Sequence, residues 1–171
     1  TGVNGSGKST LLGLLSGVFY AENGSVETYS DKIGYVGASP MIINSTLKEN
    51  LLYSANEDVD DSKILKLLST FKIFNEESVS LDRKISNKSL SMGQMQKISF
   101  VRAILSGVEI LILDESTSNL DEGSKKLIFQ ILQDLNITII NSTHNKEDFN
   151  NIDLHIEIAI SEFGVRSLKL N

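Results

Sequence analysis

Nine residues near the start of the chain, GVNGSGKST at positions 2–10, have the composition and spacing of a phosphate-binding loop. They fit the pattern G-x-x-x-x-G-K-[ST], and each part has a physical reason. Gly2, Gly5 and Gly7 let the backbone curl until its N–H groups point inward at phosphate oxygens, with Asn4, Ser6 and Thr10 completing the loop. The helix beyond adds the positive end of its dipole. Lys8 reaches the β and γ phosphates, and Ser9 offers a hydroxyl to Mg²⁺. Alone, this motif indicates a nucleoside triphosphate and does not separate kinases, GTPases and ATPases.

Further chemistry-bearing residues stand at the ends of apolar runs. ILILDE, residues 110–115, closes on Asp114 and Glu115. Asp114 is placed to hold the Mg²⁺ shell. Glu115, next to it, can orient or deprotonate an attacking water and is the candidate general base. STH, residues 142–144, ends the next apolar run, from which His144 can hydrogen-bond a γ-phosphate. In LSMGQ, residues 90–94, Ser91 and Gln94 have capping-box spacing. The helix that starts at Ser91 and Gly93 presents a second N-terminal anion site.

These residues need elements to position them. Hydrophobic periodicity predicts a helix from 8 to about 18, with Leu11, Leu12, Leu14, Leu15 and Val18 on its apolar face. Asn23-Gly24 is a turn signal between that helix and two short strands, 25–29 and 32–36. After a loop holding the one proline, Pro40, short helices are predicted over 46–53 and 61–71. The helix from 91 to 105 is followed by a continuous apolar strand at 110–113, which suits a parallel strand buried on both faces. An amphipathic helix over 122–135, with Asp121 as N-cap, leads to a second buried strand at 137–140. Segments 152–160 and 165–170 read as a closing strand pair. Strands alternating with helices predict an α/β domain built on a parallel sheet, whose ligands bind beyond the carboxyl ends of the strands.

Composition narrows the class. At 171 residues the chain is one domain of ordinary size with enough apolar residues for a core. The net charge of -6, with lysines and arginines scattered, gives no reason to expect nucleic acid as a partner. The absence of cysteine excludes disulfides, thiolate zinc sites and cysteine nucleophiles. No apolar run approaches the span of a bilayer. The chain starts inside a motif and without methionine, which reads as an N-terminal truncation. Loss of the strand that feeds the phosphate loop predicts that the isolated fragment is marginal or aggregation-prone.

With GVNGSGKST, LSMGQ, ILILDE, STSNLD (residues 116–121) and STH in this order, the chain resembles the ATP-binding cassette (ABC) ATPases over essentially all its residues. The resemblance implies an α/β P-loop NTPase fold, a parallel sheet flanked by helices, with an inserted helical subdomain at approximately 46–105 within one domain of 1–171. It implies ATP and Mg²⁺ as ligands, with Ser9 and Asp114 at the metal and Glu115 and His144 in catalysis. Gly2, Asn4, Gly5, Ser6, Gly7, Lys8, Ser9 and Thr10 would contact nucleotide in one chain. Ser91, Gly93 and Gln94 would cover the nucleotide of an opposing cassette, with Asp121 in the loop that crosses between the two. The partners implied are a second cassette, identical or not, and a transmembrane domain, fused or separate. The location implied is the cytoplasmic face of the cell membrane.

The chain departs from the family pattern in places. In IGYVGASPMIINSTLKENLLY, residues 33–53, Ala38 stands where the family usually has a glutamine that touches Mg²⁺ and couples to the membrane partner. Met92 replaces a signature glycine, and Asn87, Lys88 and Ser89 replace a glycine-containing stretch. The family's adenine-stacking aromatic lies upstream of the phosphate loop, so Tyr20, Tyr29 and Tyr35 read as core or surface residues. Thr46-Leu47-Lys48-Glu49-Asn50 resembles a T-[IL]-x-E-N pattern of exporter-type cassettes.

Three alternatives stay open at the level of sequence. Asn145-Lys146-Glu147-Asp148 spells the N-K-x-D of GTPases, but Asp114 is followed by Glu115, Ser116 and Thr117 rather than by D-x-x-G. The second is an ABC ATPase that serves no transporter: a chromosome-maintenance type would need a long coiled coil between Lys8 and Leu90, where only a short helical region fits, while a translation-type protein with two cassettes in one chain stays open. A cassette that binds ATP as a clamp without turnover is suggested by Ala38 and Met92 and opposed by Glu115 and His144.

Overall fold

The computed structural model describes residues 1–55, 59–75, 78–143, 152–161 and 163–170. Among the described residues the helices and strands follow in the order α1 (Lys8–Leu15), β1 (Ile33–Gly37), β2 (Ser45–Thr46), α2 (Leu47–Leu51), α3 (Asp61–Thr70), β3 (Lys84–Ile85), α4 (Met92–Leu105), β4 (Ile110–Asp114), α5 (Glu122–Gln133), β5 (Thr138–Ser142), β6 (Ile156–Ile160) and β7 (Arg166–Leu170). β1, β4 and β5 form a parallel sheet in that order, β4 in the middle. β6 and β7 pair antiparallel, and a parallel bridge joins Gly2 to Ile158. The predicted α/β class with a parallel sheet is the one observed.

Every residue of β4 is buried, because both faces of the strand are covered. Ile110 and Ile112 pack with Leu12 of α1 on one face. Leu111 and Leu113 belong to the larger core on the other, with Ile98 and Val101 of α4 and Ile128 and Leu132 of α5. That core runs on without a break into α2 and α3 through Leu47, Leu51, Ile64 and Leu68.

Helix ends follow side-chain chemistry. Ser91 caps α4 in a complete capping box: its hydroxyl accepts from the Gln94 N–H, and Gln94 Oε1 accepts from the Ser91 N–H. Asp121 caps α5, and Thr46 with Glu49 forms a second capping box at α2.

Four expectations need correction. The first helix ends at Leu15 and does not reach Val18, because Gly17 takes a left-handed φ of 74° and Phe19 folds back so that its N–H meets the Gly13 carbonyl. Residues 25–29 are not a strand: Val26 and Tyr29 are exposed, and β propensity without a partner does not make a ladder. The strand expected at 137–140 runs from Thr138 to Ser142 and is half-buried for most of its length, since β4 is its one partner among the described residues. The expected strand at 152–160 begins only at Ile156. The short antiparallel pair β2–β3 has no counterpart in the sequence reading.

Candidate functional site

The phosphate loop lies between the bridge at Gly2 and the first turn of α1. Its glycines are required by geometry. Gly7, the N-cap of α1, adopts a left-handed φ of 100°. At Gly2 an added β-carbon would sit 2.7 Å from Ser6 Oγ and 2.8 Å from the Ile158 carbonyl. Lys8 is buried, and its Nζ donates to the carbonyls of Gly2 (3.0 Å) and Val3 (3.1 Å), so the ammonium lies across the loop. Asn4, Gly5, Ser9 and Thr10 are exposed on the loop and the start of α1, while Ser6 is buried beneath it. Arg166 of β7 braces the loop from outside, donating through Nε to the Ser6 carbonyl at 3.0 Å.

Strand alternation brings the first carboxylate to this loop. Side chains two apart share a face, so Asp114 emerges with Ile110 and Ile112 on the side of β4 that α1 covers. There Ser9 Oγ donates to Asp114 Oδ1 at 3.0 Å. Tyr35, which pairs with Ile112 across β1 and β4, points to the same face and donates its hydroxyl to Asp114 Oδ2 at 2.8 Å. Burial, and then the Asp114 carboxylate as acceptor and neighbouring charge, push the Tyr35 phenol up to about 12.

Glu115 follows at the end of β4. It is exposed and holds a left-handed φ of 50°, unusual for a residue with a β-carbon. Its N–H donates to the Ser142 carbonyl at 3.2 Å. Asp121 lies at the far end of the same loop, with its two oxygens on the Ser124 N–H and hydroxyl, both at 2.8 Å. Those hydrogen bonds, the backbone one first, hold its carboxyl below the usual range.

The start of α4 contributes Ser91, exposed at the N-cap, and Gly93, half-buried. Gln94 is engaged on both sides of its amide: Oε1 serves the capping box and Nε2 donates to the Ile73 carbonyl at 3.1 Å. His144 and the N-K-E-D tetrad at 145–148 lie outside the described residues.

A Ser hydroxyl and an Asp carboxylate 3.0 Å apart at the mouth of the loop are a donor set that suits Mg²⁺ already carried by phosphates. Among the described residues no cluster of three or more His, Cys, Asp or Glu could cage a metal by itself.

Sequence reasoning missed four contributors. Tyr35, a core or surface residue by its sequence, is partly exposed and its hydroxyl also binds Asp114. Arg166 was not singled out. Gln96 and Asn119 hold the carbonyls of Gly37 (3.1 Å) and Ala38 (2.7 Å), contacts spanning 59 and 81 residues that no local pattern announces.

A family profile described as "ABC transporter" matches residues 1–118. The lactococcin-A transport/processing ATP-binding protein LcnC of Lactococcus lactis is 37% identical over 160 residues, covering 84% of this chain and 22% of that protein. The ATP-dependent permease MDL1 of Candida albicans is 33% identical over 174 residues, covering 89% of this chain and 25% of that protein. The chain therefore spans about a quarter of these relatives' length. A solved bacterial Atm1-family ABC exporter with ATP bound superposes with a TM-score of 0.77 at 20% identity, over 91% of this chain and 31% of that one, which is a likeness of fold.

Proposed function

This chain belongs to the ABC transporter family, and from that premise we propose that it binds and hydrolyses Mg-ATP as the motor of an exporter. The observation that carries the reading is the Ser9–Asp114 contact at 3.0 Å beneath a glycine-rich loop, with Glu115 next in the chain. Likeness to a transport/processing ATP-binding protein and to an ATP-dependent permease supports the coupling to transport.

In this reading the loop N–H groups from Gly2 to Thr10 wrap the phosphates, and Lys8 swings its ammonium from the Gly2 and Val3 carbonyls to the β and γ oxygens. Ser9 and Asp114 hold Mg²⁺, which when bound neutralises charge on the phosphate oxygens. Glu115 accepts a proton from the attacking water, and His144 hydrogen-bonds the γ-phosphate. Ser91, Gly93 and Gln94, at the start of α4, cover the nucleotide of a second cassette, and Asp121 lies in the loop between the two. Residues 46–105 act as the helical subdomain that passes the closing motion to a transmembrane domain on the cytoplasmic face of a membrane. Among the described residues no helix is long and apolar enough to cross a bilayer.

Steady-state ATPase of the full-length protein tests this. Glu115→Gln should lower kcat by about 100-fold or more, the usual worth of a positioned general base. Equal rates for the two proteins would remove Glu115 from the mechanism. One observation favours a second reading, an ATP clamp without turnover: Ala38 offers only backbone groups, and its carbonyl is already taken by Asn119. Tight ATP binding with no phosphate release from the unsubstituted protein would select it.

A further inference from the structure

Two consecutive carbonyls after β1 are each held by a side-chain amide from a different element. Gln96, fully buried on α4, donates to the Gly37 carbonyl at 3.1 Å. Asn119, from the loop between β4 and α5, donates to the Ala38 carbonyl at 2.7 Å. The backbone of Asn119 also lies against the start of α4: a β-carbon on Gly93 would come within 3.5 Å of the Asn119 carbonyl oxygen. The end of β1, the first turn of α4 and the loop after β4 therefore meet at one asparagine.

That loop begins with Glu115 at a φ of 50°. A left-handed backbone at a residue with a β-carbon persists only where its surroundings over-determine it. Within the loop, the Ser118 N–H meets the Glu115 carbonyl (3.3 Å) and the Leu120 N–H meets the Thr117 carbonyl (3.1 Å). These bonds shape the turn internally and do not fix where it sits against the rest of the protein. At its start the Glu115 N–H holds the loop to the Ser142 carbonyl of β5 (3.2 Å), and further along the Asn119 amide holds it to the Ala38 carbonyl just beyond β1, the strand whose Tyr35 touches Asp114. Geometry of this kind matters because a base displaced by an ångström loses much of its effect.

We infer that Asn119 is a positioning residue for Glu115: its amide on the Ala38 carbonyl seats the loop that carries the base. The inference rests on the reading of Glu115 as that base.

The test uses the full-length protein with Asn119→Ala, Asn119→Asp and Asn119→Gln, beside Glu115→Gln. Asn119→Asp keeps the shape and lacks the amide donor; Asn119→Gln keeps the donor on a longer arm. Removing the donor should lower kcat by about tenfold to a hundredfold with KM for ATP nearly unchanged. Asn119→Gln should recover part of the loss. Hydrogen exchange on nucleotide-free protein should quicken at residues 115–120 in both donor-less variants and stay as it was in the core strand β4. The inference is overturned if kcat is unchanged in the donor-less variants, if exchange at 115–120 is unchanged, or if kcat, KM and exchange across the whole chain move together. Should Asn119→Ala fail to fold, the isosteric Asn119→Asp decides. An inactive parent, or a Glu115→Gln variant as active as the parent, also overturns it, and does so through the base assignment itself. A parent that depends on Glu115 beside indifferent Asn119 variants removes the positioning role alone.

Discussion

Tyr35 and Asp114 are joined by a 2.8 Å hydrogen bond from phenol to carboxylate, across the junction of β1 and β4. Ser9 takes the other carboxylate oxygen at 3.0 Å. Asp114 is thus aimed by a strand neighbour on one side and by the first turn of α1 on the other. That orientation combines the β1–β4 register, which sets Tyr35 beside the carboxylate, with the contact from α1 through Ser9.

The phenol carries a pH signature. With Tyr35 raised from 10.0 to about 12, the folded chain keeps a proton that the unfolded chain loses first. The contribution to stability is fully present below pH 10 and is lost as the pH rises towards 12. In metal-free buffer, ultraviolet titration should show one of the four tyrosines ionising late. Tyr35→Phe should abolish that late step and flatten the alkaline loss of stability in the same window.

Lys8→Ala should weaken ATP binding by about 10- to 150-fold, the equivalent of roughly 1.5–3 kcal/mol for a charged hydrogen-bonding group. Fluorescence anisotropy of a labelled nucleotide measures it. An unchanged affinity would mean that the loop does not receive the triphosphate in the way proposed.

Asn50 ties together the loop before α2. It is fully buried, with Oδ1 accepting from the Ile43 N–H and Nδ2 donating to the Ile43 and Thr46 carbonyls. Asn50→Ala leaves those backbone groups without their amide and should cost about 1–3 kcal/mol. The urea midpoint should fall while the slope of the transition stays the same.

Leu111→Ala, at a fully buried position of β4, should destabilise the fold by roughly 2–5 kcal/mol through lost burial and the cavity left behind. Chemical denaturation of the two proteins under one condition gives the difference.

The parts that could be read from sequence are those whose causes are local. ILILD is apolar at every position because β4 is covered on both faces, and its alternation alone places Asp114 on the α1 side. Ser91 with Gln94 announces a capping box because the two bonds involved are three residues apart. The T-L-K-E-N stretch looked like a family hint, and the structure gives it local work: Thr46 and Glu49 cap α2 while Asn50 stitches the preceding loop. Residues 25–29 misled because alternation says nothing about whether a partner is at hand. Val18 misled because the helix-stopping Gly17 was outweighed by the leucines before it. Tyr35, Gln96 and Asn119 could not be found that way: each acts on a group 59 to 81 residues away, and nothing in its own neighbourhood encodes the contact.

The parallel sheet also sets an order of events during synthesis. Among the described residues β1 pairs with β4, which lies beyond three helices of intervening chain. At about 5–20 residues per second, roughly 5–20 s separate the emergence of Ser9 from that of Asp114. For that interval the nascent chain carries a phosphate loop and a strand whose β4 partner has not yet been made. Contacts of this sequence separation make for slow folding, so the window in which the new chain is vulnerable to wrong pairing is set by the ribosome as much as by the sequence.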